Sequence, residues 1–392
     1  MRLTKEQLEE VKIKYGVDRL WSWSRVNTYL TSPYEYFLQY IKHEKPLQDD
    51  SAYAPLGTVA HDLLEEYYSN KIKKEEMADK FDESWMEQIT LGNLKFNRSD
   101  DERNESIKSK YYDNLIHYFN NFNPLPYKAY LEKFIAVKIG DSVLQGYADI
   151  IWKDDDGYTH IGDFKTSSIY KGDNLKQKSG QLMLYALGLN QMGIPFEKIK
   201  IGFNFLKYIN VEVCQKTKDK ATGEYKTKVR QLERYNYVEK LDASILMWLK
   251  TVNIEGSEAE AILDKCHKEN SLESLPDTIK DKFKVDDCWV EVELNEESVN
   301  DLVDEISNTI KDIEKLEAEY DKTKNENLFW DSKESLQKES YYLSELCGYS
   351  ISQHKPYKEY IDELNMFKDN NDADNTDDDE EWLKGLKELG LV

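Results

Sequence analysis

The chain has 392 residues, with 53 Lys and Arg against 76 Asp and Glu, a formal charge of −23, and 40% apolar and 12% aromatic residues. That length suits two or three domains, and the aromatic content excludes a chain disordered throughout. The acidic balance argues against a non-specific nucleic-acid coat, which needs many cationic contacts to phosphate, but leaves open a local groove where metal ions supply the positive charge.

Residues 1–19 read as a polar helix closed by a Gly turn, and 22–40 (SWSRVNTYLTSPYEYFLQY) as an aromatic helix pair broken at Pro33. After a loop over 47–55, Leu56 to Lys71 forms a helix with Thr58 as its cap and Val59, Leu63, Leu64 and Tyr67 as its apolar stripe. Residues 73–122 are helical, with a polar loop near 97–104, and end at Pro124 and Pro126. The period then becomes two: LEKFIAVKIG, SVLQGYADIIW and YTHIGDFKTS read as strands, the last two joined by the turn KDDDG. A buried helix over 174–193, a strand KIKIGFNFLKY, a hairpin over 209–237 turning near Thr222-Gly223, and helices over 238–270 follow. A strand at 288–294 leads to a long amphipathic helix, 296–322, with Val299, Ile306, Ile313 and Tyr320 seven apart. Residues 327–364 are aromatic-rich and packed, and 369–381 hold eight acids and no base, a stretch too polar to fold.

No apolar run reaches the roughly 18 residues of a membrane span, and MRLTKEQLEEVKIKYG lacks a hydrophobic signal core. Cys214, Cys266, Cys288 and Cys347 never form CxxC, so neither a disulfide framework nor a Cys-only zinc site is expected. A cytoplasmic protein without a membrane partner follows.

The hairpin LQGYADIIW–KDDDG–YTHIGDFKT carries the chemistry. Antiparallel pairing keeps the sum of paired residue numbers constant, and a turn centred on Asp156 gives 312, the sum of 149 and 163. Asp149 and Asp163 then lie opposite one another, with Cβ atoms about 5 Å apart. Two like charges there are a liability unless a divalent cation joins them, and oxygen ligands favour Mg²⁺ or Mn²⁺. Lys165, two residues after Asp163, shares its face and could hold and polarise a water. An ion pair on a sheet edge is the structural alternative.

The order of motifs resembles the RecB/AddB-like exonuclease branch of the PD-(D/E)XK nuclease superfamily. The matching residues are SWSRVNTYLTSPYEYF; Gly57, His61, Leu64 and Glu65; GYADII; DFKT; and Gln181 with Tyr185 in GQLMLYALGL. The resemblance covers 22–189. It implies a restriction-endonuclease-like α/β core, a mixed central sheet flanked by helices with additional helical elements. It also implies metal ligation by His61, Asp149, Asp163 and the Phe164 carbonyl. Lys165 would help to deprotonate the attacking water, and Gln181 and Tyr185 would line the site and contact DNA. His61 would sit at the third position of its helix, where the N-terminus disfavours imidazolium, and Glu65 would orient its ring.

Many relatives carry an iron–sulfur cluster on four Cys. Here Ser32, Ser350 and Pro356 replace three of them and only Cys347 remains, so no cluster is expected. Aromatic packing around Tyr34, Tyr36, Tyr349 and Tyr357 would take over the stapling. DNA would be met by two basic segments: Lys171, Lys176 and Lys178, and 216–230, which includes Lys226, Lys228 and Arg230 and carries six bases against two acids. The expected organisation is a nuclease core over 20–208 with a helical insertion near 70–125, a hairpin and helical extension over 209–365, and a disordered acidic tail over 366–392. The expected function is metal-dependent DNA hydrolysis, exonucleolytic, in recombination or repair, and the composition suits a phage or plasmid protein. No Walker A motif is present, so a helicase, recombinase or single-stranded-DNA-binding protein would be a separate partner. The alternative is a non-catalytic DNA-binding or regulatory subunit on the same fold.

Overall fold

The computed structural model describes residues 2–47, 51–97, 100–339, 342–343, 347–349 and 351–369. The acidic tail beyond Asp369 lies outside the described residues. Two compact units form, one of Met1–Trp23 with Asp50–Ser307, the other of Ser24–Asp49 with Asn308–Val392.

Helix α1 (Lys5–Tyr15) opens on a capping box between Thr4 and Gln7 and stops at Gly16. Strand β1 (Leu20–Ser22) leads into α2 (Trp23–Thr31). Pro33 occupies the first turn of α3 (Pro33–Tyr36), and Ser32 caps it by accepting from the Glu35 amide. Helix α4 (Tyr53–Tyr68) starts earlier than the sequence suggests. Pro55 fits its first turn, where a missing N–H costs nothing. Thr58 is therefore not the cap but lies inside the helix, its hydroxyl donating to the Ala54 carbonyl. Helices α5 (Met77–Trp85) and α6 (Asp101–Asn120) follow, the latter capped by Asp100.

Strands β2 (Ala129–Ile139), β3 (Ser142–Lys153) and β4 (Thr159–Lys165) form the expected meander. The helix expected over 174–193 is two, α7 (Gly172–Lys178) and α8 (Gly180–Gln191). Strand β5 (Ile199–Lys218) is continuous, so the division expected at 208 falls inside a strand; β6 (Tyr225–Glu233) returns along it. Helices α9 (Asp242–Leu249), α10 (Ser257–Glu269) and α11 (Asp277–Lys280) precede β7 (Phe283–Val292), which begins before the expected 288. Then come α12 (Glu296–Thr323), α13 (Lys333–Lys338) and α14 (Tyr357–Asp369). Val299, Ile306 and Ile313 on α12 are all buried, as an amphipathic helix packing on its own chain requires. Among the described residues no helix is long and apolar enough to cross a membrane.

The sheet is mixed and seven-stranded, in the order β1-β3-β4-β5-β6, with β2 also on β3 and β7 also on β5. Strands β4 and β5 are parallel, joined through α7 and α8. Helices α4 to α6 cover one face through a core that includes Leu56, Leu64, Phe81, Tyr111 and Leu115 with Ile150, Phe164 and Leu206 of the sheet. A second core under the far half of β5 joins Ile209, Val211 and Val213 to Ile245, Trp248 and Leu249. This is the restriction-endonuclease-like arrangement.

In the other unit Tyr34 stacks on Tyr357, with ring centroids 3.9 Å apart, and the Tyr36 hydroxyl donates to Glu317 at 2.7 Å. Ser32 donates to the buried Asp331 at 3.0 Å, and Tyr342 donates to Glu35 at 2.8 Å.

Candidate active site

The turn between β3 and β4 is closed by Asp154, whose carboxylate accepts from the Tyr158 amide at 2.8 Å. Pairing runs from Lys153 with Thr159 to Ile150 with Gly162, each pair summing to 312. The next pair in that register is Asp149 and Asp163. There the ladder opens, and the Phe164 amide donates to the Asp149 carboxylate at 2.9 Å instead of to a strand carbonyl. Two carboxylates directly opposite would repel, and the opening lets one of them take a backbone donor.

Strand β2 occupies one edge of β3 along most of its length. The other edge is shared, β1 taking Val143–Gln145 and β4 taking Ile150–Lys153. Gly146 to Asp149 lie in the window between. Into it α8 sends Tyr185, whose hydroxyl receives Gln181 Nε2 at 2.8 Å and the Tyr147 amide. Gly146 makes the approach feasible, since a Cβ there would lie 2.5 Å from the Tyr185 hydroxyl. Gly180 does the same for Trp23, whose ring would meet a Cβ at 2.3 Å. Gln181 and Tyr185, expected one turn apart on a buried helix, thus reach the strand that bears Asp149.

His61 stands in mid-helix on α4, not at the third position. Its Nε2 lies 2.8 Å from the Phe164 carbonyl and its Nδ1 lies 3.3 Å from Asp149 Oδ2. Both ring nitrogens are thereby engaged, which leaves none for Glu65 to orient. Lys165 pairs with Asp163, which is 3% exposed. Burial and the neighbouring Asp163 carboxylate push Asp149 up to about 7. Burial would lower Lys165, but Asp163 and Asp149 outweigh it and hold the ammonium above its ordinary value. Without a cation on the two carboxylates, Lys165 is a charged donor.

Among the described residues, no three His, Cys, Asp or Glu side chains converge into a ready metal cage. The candidate donors lie near one another all the same: the His61 ring touches the Phe164 carbonyl and Asp149, and Asp163 is close enough to Asp149 to add to the burial that raises it. Of the two basic segments, the one on β6 lies away from this place. Lys176 and Lys178 are exposed on α7, Lys171 precedes it, and Arg230 donates to the Lys240 carbonyl. Lys228 pairs with Val213, eight residues beyond the Phe205 that sits beside Lys165, about 26 Å along an extended strand. Of two further neighbours of the site, Tyr111 escaped sequence reasoning, and Thr166 was quoted only as the end of DFKT, with no role. The hydroxyl of Thr166 faces that of Tyr111 and lies 3.5 Å from where Gly57 would carry a Cβ. A buried tyrosine on a peripheral-looking helix gives no sequence signal of this.

No curated protein matches the chain. The sequence model described as PD-(D/E)XK nuclease superfamily matches residues 20–325.

Proposed function

The chain belongs to the PD-(D/E)XK nuclease superfamily, and from that premise we propose that it hydrolyses phosphodiester bonds of DNA at the site formed by His61, Asp149, Asp163, the Phe164 carbonyl and Lys165. The observation that carries this reading is the meeting of two buried carboxylates from adjacent strands with a lysine paired to one and an imidazole touching the other. A divalent ion held by those donors would supply Lewis acidity to the scissile phosphate and lower the pKa of a water beside it. Asp149 and Asp163 would bind and place it, and the Phe164 amide keeps the Asp149 carboxylate turned inward. His61 would give a nitrogen from α4 by exchanging one of its two present contacts for the ion. Lys165 Nζ would orient the attacking water and, with a cation offsetting the charge of Asp149 and Asp163, help to take up its proton. Gln181 and Tyr185 wall the site from α8.

The RecB-like order of motifs supports attack from DNA ends, in recombination or repair, with a helicase, recombinase or single-stranded-DNA-binding protein as partner. The mutual bonding of His61, Asp149 and Phe164 favours one second reading, a non-catalytic DNA-binding or regulatory subunit. The deciding experiment offers end-labelled linear DNA and closed circular DNA to the protein with Mn²⁺, Mg²⁺ or neither, beside Lys165→Ala. Metal-dependent loss of label from linear DNA alone, abolished in the variant, is the expected result. Cutting of the circle makes the enzyme an endonuclease. Binding of DNA without cleavage under any metal points to the non-catalytic subunit.

A further inference from the structure

One cation near the site has no part in the chemistry above. Lys207 lies on β5 two residues past Phe205, the residue in register with Lys165. It is therefore about 7 Å further along the strand direction and one strand over. Its Nζ stands 4.8 Å from the ring centroid of Tyr111. The hydroxyl of that ring faces Thr166, the residue after Lys165. The next residue on β5, Tyr208, bonds the side chain of Ser168. The stretch that leaves Lys165 and the stretch that carries Lys207 thus face each other across the end of the β4–β5 pair.

Lys207 is partly buried, and among the described residues no carboxylate lies within ion-pair distance of it. Lys42, Lys165, Lys280 and Lys284 are held above their ordinary value by acids. Lys207 is pushed down to about 8 by burial, with only Glu233 opposing at a distance. An ammonium withdrawn from water without a counter-charge is costly, and a strand interior offers apolar residues that would fill the position at less cost. The aromatic face of Tyr111 supports the cation on one side and cannot neutralise it. The missing group is an anion approaching along the strand ends from the direction of Lys165.

We propose that Lys207, backed by Tyr111, binds a backbone phosphate of the DNA strand adjacent to the phosphate at Lys165, a placement that rests on the nuclease reading of the site. The backbone positions of the two lysines are offset by about one nucleotide step, so Lys207 would fix the register of the strand while Lys165 meets the bond to be cut.

The test uses the full chain, a fluorescent single-stranded oligonucleotide and its duplex, with EDTA present so that binding is read without cleavage. Lys207→Met is expected to weaken binding about 10-fold and to reduce the slope of log K against log salt by about 0.7 to 0.9. Lys207→Arg should keep both near the wild-type values. The melting temperature of Lys207→Met should be unchanged or higher, since a desolvated charge has been removed; a structural lysine would lower it. In the metal-activated reaction KM should rise with kcat held within about three-fold. Unaltered affinity and salt slope in Lys207→Met overturns the assignment, as does a fall in kcat with KM unchanged. Wild-type binding without cleavage under any metal removes the nuclease reading but leaves the binding comparison decisive for Lys207. Absence of wild-type binding overturns both.

Discussion

The Tyr185 hydroxyl fills the space that a side chain on Gly146 would need. It sits there because β1 and β4 share one edge of β3 and leave a window, in which the Tyr147 amide takes the hydroxyl as its acceptor. A Cβ at position 146 would come within 2.5 Å of both the hydroxyl and a ring carbon. Gly146→Ala should therefore expel Tyr185, release Gln181, and destabilise the protein by about 1–3 kcal/mol. Thermal unfolding measures the loss. Tyr185→Phe does not relieve the clash with the ring carbon, so the double variant should be no more stable than Gly146→Ala. Recovery of stability in the double variant would show that the hydroxyl alone is crowded.

Metal binding should stabilise the fold through His61, Asp149 and Asp163. At a hundred times its dissociation constant a single ion adds about 2.7 kcal/mol, a rise in melting temperature of roughly 4–5 °C for a unit of this size. Titration with Mn²⁺ followed by chelation should show the rise and its reversal. Asp149→Asn should lose it, while its metal-free form is no less stable than wild type. It keeps an acceptor for the Phe164 amide and drops a carboxylate that burial and Asp163 disfavour. Hydrolysis by Asp149→Asn should fall by about 10³-fold or more. A metal-induced rise that survives in both Asp149→Asn and His61→Ala would place the ion elsewhere.

The hairpin arithmetic located Asp149 opposite Asp163 because strand register is an integer property. The turn residues KDDDG fix it, and each pair from 153/159 to 150/162 keeps the sum. Sequence did not show that the ladder would open at the next pair, since that depends on what the Phe164 amide finds in space. The helix of His61 was legible but its start was not. Thr58 is a good cap residue, yet Pro55 allowed the helix to begin at Tyr53, and the cap chemistry was not needed there. Lys207 was hidden for a third reason. A lysine near the end of an apolar run reads as the point where a strand surfaces, whereas β5 continues to Lys218 and carries it beside Tyr111. The basic residues chosen from local charge, Lys226 and Lys228, lie on the far half of that strand pair.

Arg234 anchors the irregular part of β5. It is 2% exposed, pairs with Asp287 on β7, donates to the Leu206 carbonyl at 2.9 Å, and lies over the Tyr118 ring. The register between β5 and β7 shifts between Asn204 and Ile209, so the Leu206 carbonyl needs this side-chain donor. Arg234→Met should cost about 3–5 kcal/mol, because it leaves Asp287 without its partner and the carbonyl unsatisfied. Adding Asp287→Asn should recover part of that loss. Chemical denaturation of the three variants measures the coupling, and additive losses would mean that the pair does not act as one unit.

Asp331 gives the second unit a pH dependence whose sign is fixed. It is 1% exposed and accepts from Ser32 and Tyr357. Burial raises it from 3.8 to about 6 despite those donors. The folded protein therefore holds this proton more tightly than the unfolded chain does. The carboxyl imposes no charge penalty below about 4, and stability is lost as pH rises through 6, by roughly 3 kcal/mol in all. Asp331→Asn cannot titrate and retains an oxygen for Ser32 and Tyr357. Its stability relative to wild type should be most favourable at pH 7–8 and should decline steadily between pH 6 and 4. Equilibrium unfolding of both proteins across that range checks it. A difference that stays constant with pH would mean that Asp331 is ionised in the folded state throughout, its charge borne by the two hydroxyls.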